Sequence, residues 1–336
     1  MTPYSRGRGN SYRSPDSDTW KIFAGLGAIV LFLVVAGIWI FSRNSDTTIQ
    51  TEGGLVRLYG PKQSIGTPYM DRRAAFHSQL KRGPFENQEY DPDWEQELAE
   101  EIPNAKIVTF PSGSLTLKAA LHVPRDNGMR MPAIVYFHGG FSFDASDMEV
   151  CEPFMEAGLV VMTPILRSEN GGPGDYELFL GEVDDAANAV RWLSQQPYVD
   201  PDRIYAFGHS VGGGVAAMLS LISDVPLRHS GGSGGLYVRE ILECWGDDGM
   251  VPFNPHDARE CEMRIMMGNV RWMQRPHYGF IGTDDTGVDF SVPILETEAK
   301  NEGKSDMLVI RRVPGDHFTS FTPALEAYLR QIQSER

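Results

Sequence analysis

At 336 residues, with 41% hydrophobic and 22% charged residues, the chain has a globular composition and room for one large domain plus extra segments. That composition excludes a wholly disordered or collagen-like chain. The net charge of −15 argues against nucleic acid as a partner, and three cysteines without a CxxC pair exclude a disulfide scaffold and a cysteine-built zinc or redox site.

Residues 1–19, rich in Ser, Arg, Gly and Asp without periodicity, read as a short disordered tail. Residues 22–41, IFAGLGAIVLFLVVAGIWIF, carry neither charge nor proline. At about 1.5 Å per residue they span a hydrocarbon core of ~30 Å, and Trp20 and Trp39 stand near the two ends. This predicts a transmembrane anchor over residues 20–41, too long for a cleaved signal peptide and lacking its small-x-small site. Arg6, Arg8, Arg13 and Lys21 precede the apolar run, whereas only Arg43 falls within the first dozen residues after it. The N-terminus is therefore expected in the cytoplasm, and everything from Ser42 onward in the periplasm, the exterior or a lumen. That exported part holds 26 basic and 43 acidic residues, so bilayer contact is expected through residues 22–41 alone.

Residues 42–104 are polar, with Gly-Gly and Gly-Pro turn signals, and only 94–101 reads as helix; this is a tether or a strap over a domain. From Lys106 to the C-terminus short Val, Ile and Leu runs alternate with amphipathic stretches, the pattern of βαβ units. Strands are expected at 106–110, 115–123, 132–140, 159–166, 203–210, 277–285 and 306–313, with a possible one at 227–231. Helices are expected at 148–157, 177–195, 213–222, 293–301 and 323–333. These elements predict a mostly parallel sheet covered on both faces over residues 105–336. Residues 230–275 read as an irregular, lid-like insert, within which Cys244 and Cys261 are candidates for a disulfide in an exported chain.

Gly208-His209-Ser210-Val211-Gly212 follows a β-rich run and opens a small-residue helix, the strand–turn–helix setting of a nucleophile elbow. A serine at such a strained turn leaves no room for a side chain two residues before or after it, which is why Gly208 and Gly212 are needed. His138-Gly139-Gly140-Phe141 follows the strand at 132–137, where glycines let backbone N–H groups face a developing oxyanion. The hole is assigned to the N–H groups of Val211 and Phe141, with Gly140 as the alternative donor. His138 is expected to orient that loop. His317, after the strand at 306–313, is the candidate base for Ser210, with Asp284 or Asp285 after the strand at 277–282 as its orienting carboxylate; periodicity does not choose between the two.

From residue 106 onward the chain resembles an α/β-hydrolase of the prolyl-oligopeptidase and dienelactone-hydrolase type. The resemblance rests on HGGF, the run EVDDAANAVRWLSQQPYVDPDRIYAFGHSVGGG, GTDDTGV and VPGDHF, in that order. It implies an α/β-hydrolase fold and a triad of Ser210, Asp285 and His317. It also selects Asp285 over Asp284, because Gly282, Asp285 and Val288 fill the family's Gly-x-x-Asp-x-x-Val places. The β-propeller that precedes the domain in prolyl oligopeptidases has no room in residues 42–105, and residues 230–274 fit no family pattern.

The expected activity is hydrolysis of a carboxylic ester or small amide through an acyl-enzyme, with a peptidase as the alternative. A membrane-tethered binding protein with a vestigial fold is the rival from another class. No cofactor is implied, and the acidic run 246–262 with His256 lacks the HxH or HExxH spacing of a metal site.

Overall fold

The computed structural model describes residues 65–335 apart from 87 and 125–127. The tail, the apolar run 22–41 and the first part of the tether lie outside these residues. Among the described residues no helix is long and apolar enough to cross a membrane.

Eight strands form one sheet: β1 Ala105–Ser112, β2 Leu115–His122, β3 Met131–Phe137, β4 Val160–Pro164, β5 Val199–His209, β6 His229–Ser233, β7 His277–Gly282 and β8 Leu308–Val313. Their order is β1-β2-β4-β3-β5-β6-β7-β8. β2 runs antiparallel to β1 and β4, and every other pair is parallel, as expected for strands joined by helical crossovers. The chain leaves β3 for β4 on one side and returns to β5 on the other. The carboxyl ends of β3 and β5 therefore flank the switch point of the sheet, where ligands bind in such folds.

Alternation along β3 explains the layers. Ala133, Val135 and Phe137 enter one apolar cluster and Ile134 and Tyr136 the other, all buried, so helices cover both faces. Helices α1 Tyr69–Ala75 and α2 Trp94–Glu101 precede the sheet; α3 Ser146–Glu149 and α4 Glu152–Glu156 link β3 to β4. α5 Gly181–Ser194 and α6 Val211–Leu219 pack on the first face. After α7 Arg239–Asp247, α8 Ala258–Glu262 and α9 Val292–Asn301, the last helix, α10 Phe321–Gln333, buries Ala324, Leu325, Tyr328 and Ile332 on the second face. At this helical spacing each fully buried Leu or Ile contributes roughly 1.5–3 kcal/mol.

The helix expected over 148–157 is split into α3 and α4, with Pro153 in the first turn of α4, where a missing N–H is tolerated. The one expected from residue 177 starts only at Gly181, because Leu178 and Phe179 adopt left-handed φ of 47° and 61°. The segment before the sheet lies on the domain: Tyr69 donates through its hydroxyl to the Met263 carbonyl at 2.9 Å, and Trp94 meets Phe143 edge-on.

Two expectations for the insert are corrected. Residues 230–275 are not an irregular lid: they hold β6, α7 and α8, and Tyr237, Ile241, Leu242, Trp245, Met263 and Met266 are buried in the core. Nor are Cys244 and Cys261 bonded to each other. Cys261 is buried with its thiol directed at the Pro255 carbonyl 3.0 Å away, while Cys244 lies partly buried on α7.

Candidate active site

Ser210 sits between β5 and α6 with φ 53° and ψ −115°, an outlier conformation that costs on the order of 1–3 kcal/mol. The surrounding turn enforces it. A Cβ on Gly208 would come within 2.1 Å of the Gly212 carbonyl oxygen, and one on Gly212 within 2.1 Å of the Phe137 oxygen. Both glycines are thus required by close backbone approach. The Ser210 N–H donates to the Ser233 carbonyl at 2.8 Å, which ties the elbow to β6. The first intrahelical bond of α6 runs from the Gly214 N–H to the Ser210 carbonyl, so the N–H of Val211 remains one of the donors a helix leaves free at its start.

The loop after β3 runs beside this turn: Phe137 is in register with Gly208, and a Cβ on Gly139 would lie 3.6 Å from that of Ser210. Gly140 has φ +74°, which only glycine adopts at no cost, and this bends the loop toward Phe141. Five neighbours hold the loop. Gln88, from the segment before the sheet, donates to the Phe141 carbonyl at 2.6 Å, and the Phe141 ring packs on Phe85, Tyr176 and Trp245. Asn170 exchanges hydrogen bonds with both backbone groups of Phe143, at 2.9 and 2.7 Å.

His138 anchors the loop from behind. It donates from Nδ1 to the Gly139 carbonyl at 3.0 Å and pairs through Nε2 with Glu169 at 3.1 Å. Burial disfavours its charged form, but Glu169 and Asp147 outweigh that and hold the imidazolium up to about 10. Glu169 also accepts from the Leu166 N–H at 2.7 Å.

Asp285 and His317 meet at the far side of the elbow. His317 Nδ1 donates to Asp285 Oδ2 at 2.8 Å, and both residues are buried. Asp284 is exposed; its N–H donates to the Gly315 carbonyl, which joins the β7 loop to the loop that carries His317. Asp289, the next acidic residue along the chain, is bound to Arg312. Asp316 caps its own turn by accepting from the N–H groups of Phe318 and Thr319. Gly234, with φ +58°, lies against His317: a Cβ there would be 2.8 Å from the ring, so the residue after β6 shapes the slot that the imidazole occupies. The Ser210 hydroxyl and His317 make no hydrogen bond to each other among the described residues. Such contacts are often long until a substrate closes them.

The remaining histidines take other places. His209 packs its ring on His317 at a centroid distance of 5.0 Å, and burial, then the charge of His317, push it down to about 3, so it stays neutral. His277 is buried between Ser230 and the Tyr237 hydroxyl, and His229 against Tyr328. His77 and His256 are exposed and His122 ends β2. Among the described residues no group of three or more His, Cys, Asp or Glu side chains could hold a metal ion.

Sequence reading missed Gln88, Glu169 and Asn170. Each reaches the loop from at least 27 positions away, so no local signal marks it.

Residues 174–224, which include α5, β5 and the elbow, match the model of the prolyl oligopeptidase family. An uncharacterized peptidase of Bacillus subtilis, YtmA, is 32% identical over 120 residues, 34% of this chain and 44% of that one. An uncharacterized protein of Mycobacterium tuberculosis is 33% identical over 100 residues, 30% of this chain and 35% of that one. The chain thus spans less than half the length of these curated relatives. An acylaminoacyl peptidase of Pyrococcus horikoshii superposes with a TM-score of 0.54 at 18% identity, over 72% of this chain and 42% of that one. An esterase of Thermogutta terrifontis gives 0.55 at 22%, over 70% and 95%. The chain thus has the α/β-hydrolase fold, and its segment 174–224 is similar to the prolyl oligopeptidase family.

Proposed function

We propose that the chain is a membrane-anchored serine hydrolase that cleaves a carboxylic ester, or a small amide, through an acyl-enzyme. The observation that carries this reading is the buried 2.8 Å contact between Asp285 and His317 on the same sheet edge as the strained Ser210 turn. Ser210 Oγ adds to the substrate carbonyl carbon while His317 Nε2 takes its proton, and Asp285 holds the imidazole in the tautomer that leaves Nε2 free to accept. The oxyanion is received by the N–H groups of Val211 and Phe141. On collapse His317 returns the proton to the departing alcohol or amine. Water then attacks the acyl-enzyme by the same path, releasing the acid and restoring Ser210.

Ester cleavage is supported by the fold shared with the Thermogutta esterase. A peptidase is the second reading, supported by the prolyl oligopeptidase match and the Bacillus relative. Turnover of aryl esters beside peptide anilides separates them. The first reading expects kcat/KM at least about a hundredfold higher on the esters; equal or reversed values favour the second. The anchor is read from residues 22–41, and the net charge of the part that follows suits a domain standing off anionic lipid.

A further inference from the structure

The turn that carries His317 also carries Phe318, which is 38% exposed although His317 beside it is only 5% exposed. A lone exposed apolar side chain is ordinary on a protein surface; what distinguishes this one is its place. The Phe318 ring meets the His317 ring edge-on at a centroid distance of 5.4 Å and the His209 ring at 6.1 Å. His209 precedes Ser210, and a Cβ on Gly139 would lie 3.0 Å from its ring and 3.6 Å from the Ser210 Cβ. Phe318 therefore lies across the two rings that flank the nucleophile, with part of its own surface open to solvent.

The backbone fixes it there. Asp316 Oδ1 accepts from the Phe318 N–H at 3.1 Å, from the Thr319 N–H at 2.8 Å and from the Thr319 hydroxyl at 2.7 Å. The Phe318 carbonyl accepts from the Phe321 N–H at 3.1 Å, where α10 begins. One hydrogen-bonded turn thus sets the base and the exposed ring together, and the ring is preorganised. Behind it the wall stays aromatic, since Phe321 meets the His209 ring edge-on at 5.3 Å.

We infer that Phe318 is the platform for the leaving group and selects an alcohol or amine that bears an aromatic ring. The inference rests on the serine hydrolase reading, in which the departing heteroatom takes its proton from His317. Nδ1 of that imidazole is held by Asp285, so Nε2 gives the proton, and the group that receives it leaves past the turn of residues 315–320. Phe318 follows β8, across Ser210 from the β3 loop that receives the oxyanion, which puts it on the leaving-group side. Any apolar chain gains from covering the ring, but an aromatic one adds an offset or edge-to-face contact.

Methyl acetate, benzyl acetate and benzyl butanoate test this, because the first two differ only in the alcohol and the last two only in the acyl chain. In the full-length chain Phe318→Ala is expected to lower the benzyl-to-methyl ratio of kcat/KM about tenfold, and Phe318→Tyr to keep it. The butanoate-to-acetate ratio is expected to hold in both variants. A ring that merely covers His317 would scale all three esters alike, so an unmoved benzyl-to-methyl ratio in Phe318→Ala overturns the platform, as does a fall of both ratios together. Binding separates the two claims: by ligand-observed NMR titration, benzyl acetate should bind full-length Ser210→Ala several-fold more tightly than Ser210→Ala/Phe318→Ala. That difference without turnover of any ester by the unaltered chain sinks the hydrolase reading and leaves the aromatic site standing; turnover with an unmoved ratio does the reverse.

Discussion

His317 donates to Asp285 at 2.8 Å while the adjacent Asp284 faces solvent, so two neighbouring carboxylates have separate work. Asp285→Asn should lower kcat by about four orders of magnitude, the loss seen when a serine protease's orienting aspartate is replaced. Asp284→Asn should stay within about threefold of wild type, since its backbone N–H makes the contact to Gly315. Steady-state kinetics on one aryl ester compares them; a severe defect at Asp284 with a mild one at Asp285 reverses the roles.

Gln88 steadies the Phe141 peptide from outside the sheet. Replacing it with Ala should reduce kcat about tenfold with little change in KM, because a misaligned donor weakens binding of the oxyanion more than of the ground state. A variant with unchanged kcat would remove Gln88 from the positioning of the loop.

The elbow was legible because its chemistry is local: Gly208 and Gly212 are demanded by contacts of 2.1 Å within the turn and with the neighbouring strand. The strands were legible from their Val, Ile and Leu runs, and His317 from its place after one of them. α1 Tyr69–Ala75 was not, since it is seven residues long, has no side-chain cap, and buries Tyr69 alone. The insert was misjudged for a different reason. α7 is only nine residues long and is followed at once by Gly249, Pro252 and Pro255, so its short apolar stripe was read as part of a loop although Ile241, Leu242 and Trp245 are core. The start of α5 at Gly181 was also hidden, because no residue type announces the left-handed turn at residues 178–179.

The His138–Glu169 pair carries a pH signature. A base whose pKa rises on folding adds stability that is complete below its unfolded value of about 6.5 and lost as pH climbs through its folded value, here about 10. The melting-temperature gap between wild type and His138→Gln should therefore be widest near pH 6 and narrow toward pH 10. A gap that widens over that range contradicts a buried imidazolium.

Burial pushes the Cys261 thiol up to about 12, and Cys244 is not joined to it. Protein unfolded without reductant should take up three alkyl groups per chain by intact mass, with Cys261 labelled far more slowly before unfolding. Uptake of one group would restore the disulfide.

Protease added outside intact cells or spheroplasts should digest the domain while residues 1–19 stay protected, given four basic residues before the apolar run and Arg43 alone after it. A domain that survives such treatment intact would reverse the proposed topology.

The most direct measurement is covalent labelling by a fluorophosphonate, located by peptide mass spectrometry. Such a probe reacts only with a serine whose base and oxyanion donors are in working order. One label on Ser210 in the folded chain, and almost none in His317→Ala of unchanged melting temperature, is the result expected. No label on folded protein, or a label on another serine, would contradict the assignment of Ser210 and the catalytic reading with it.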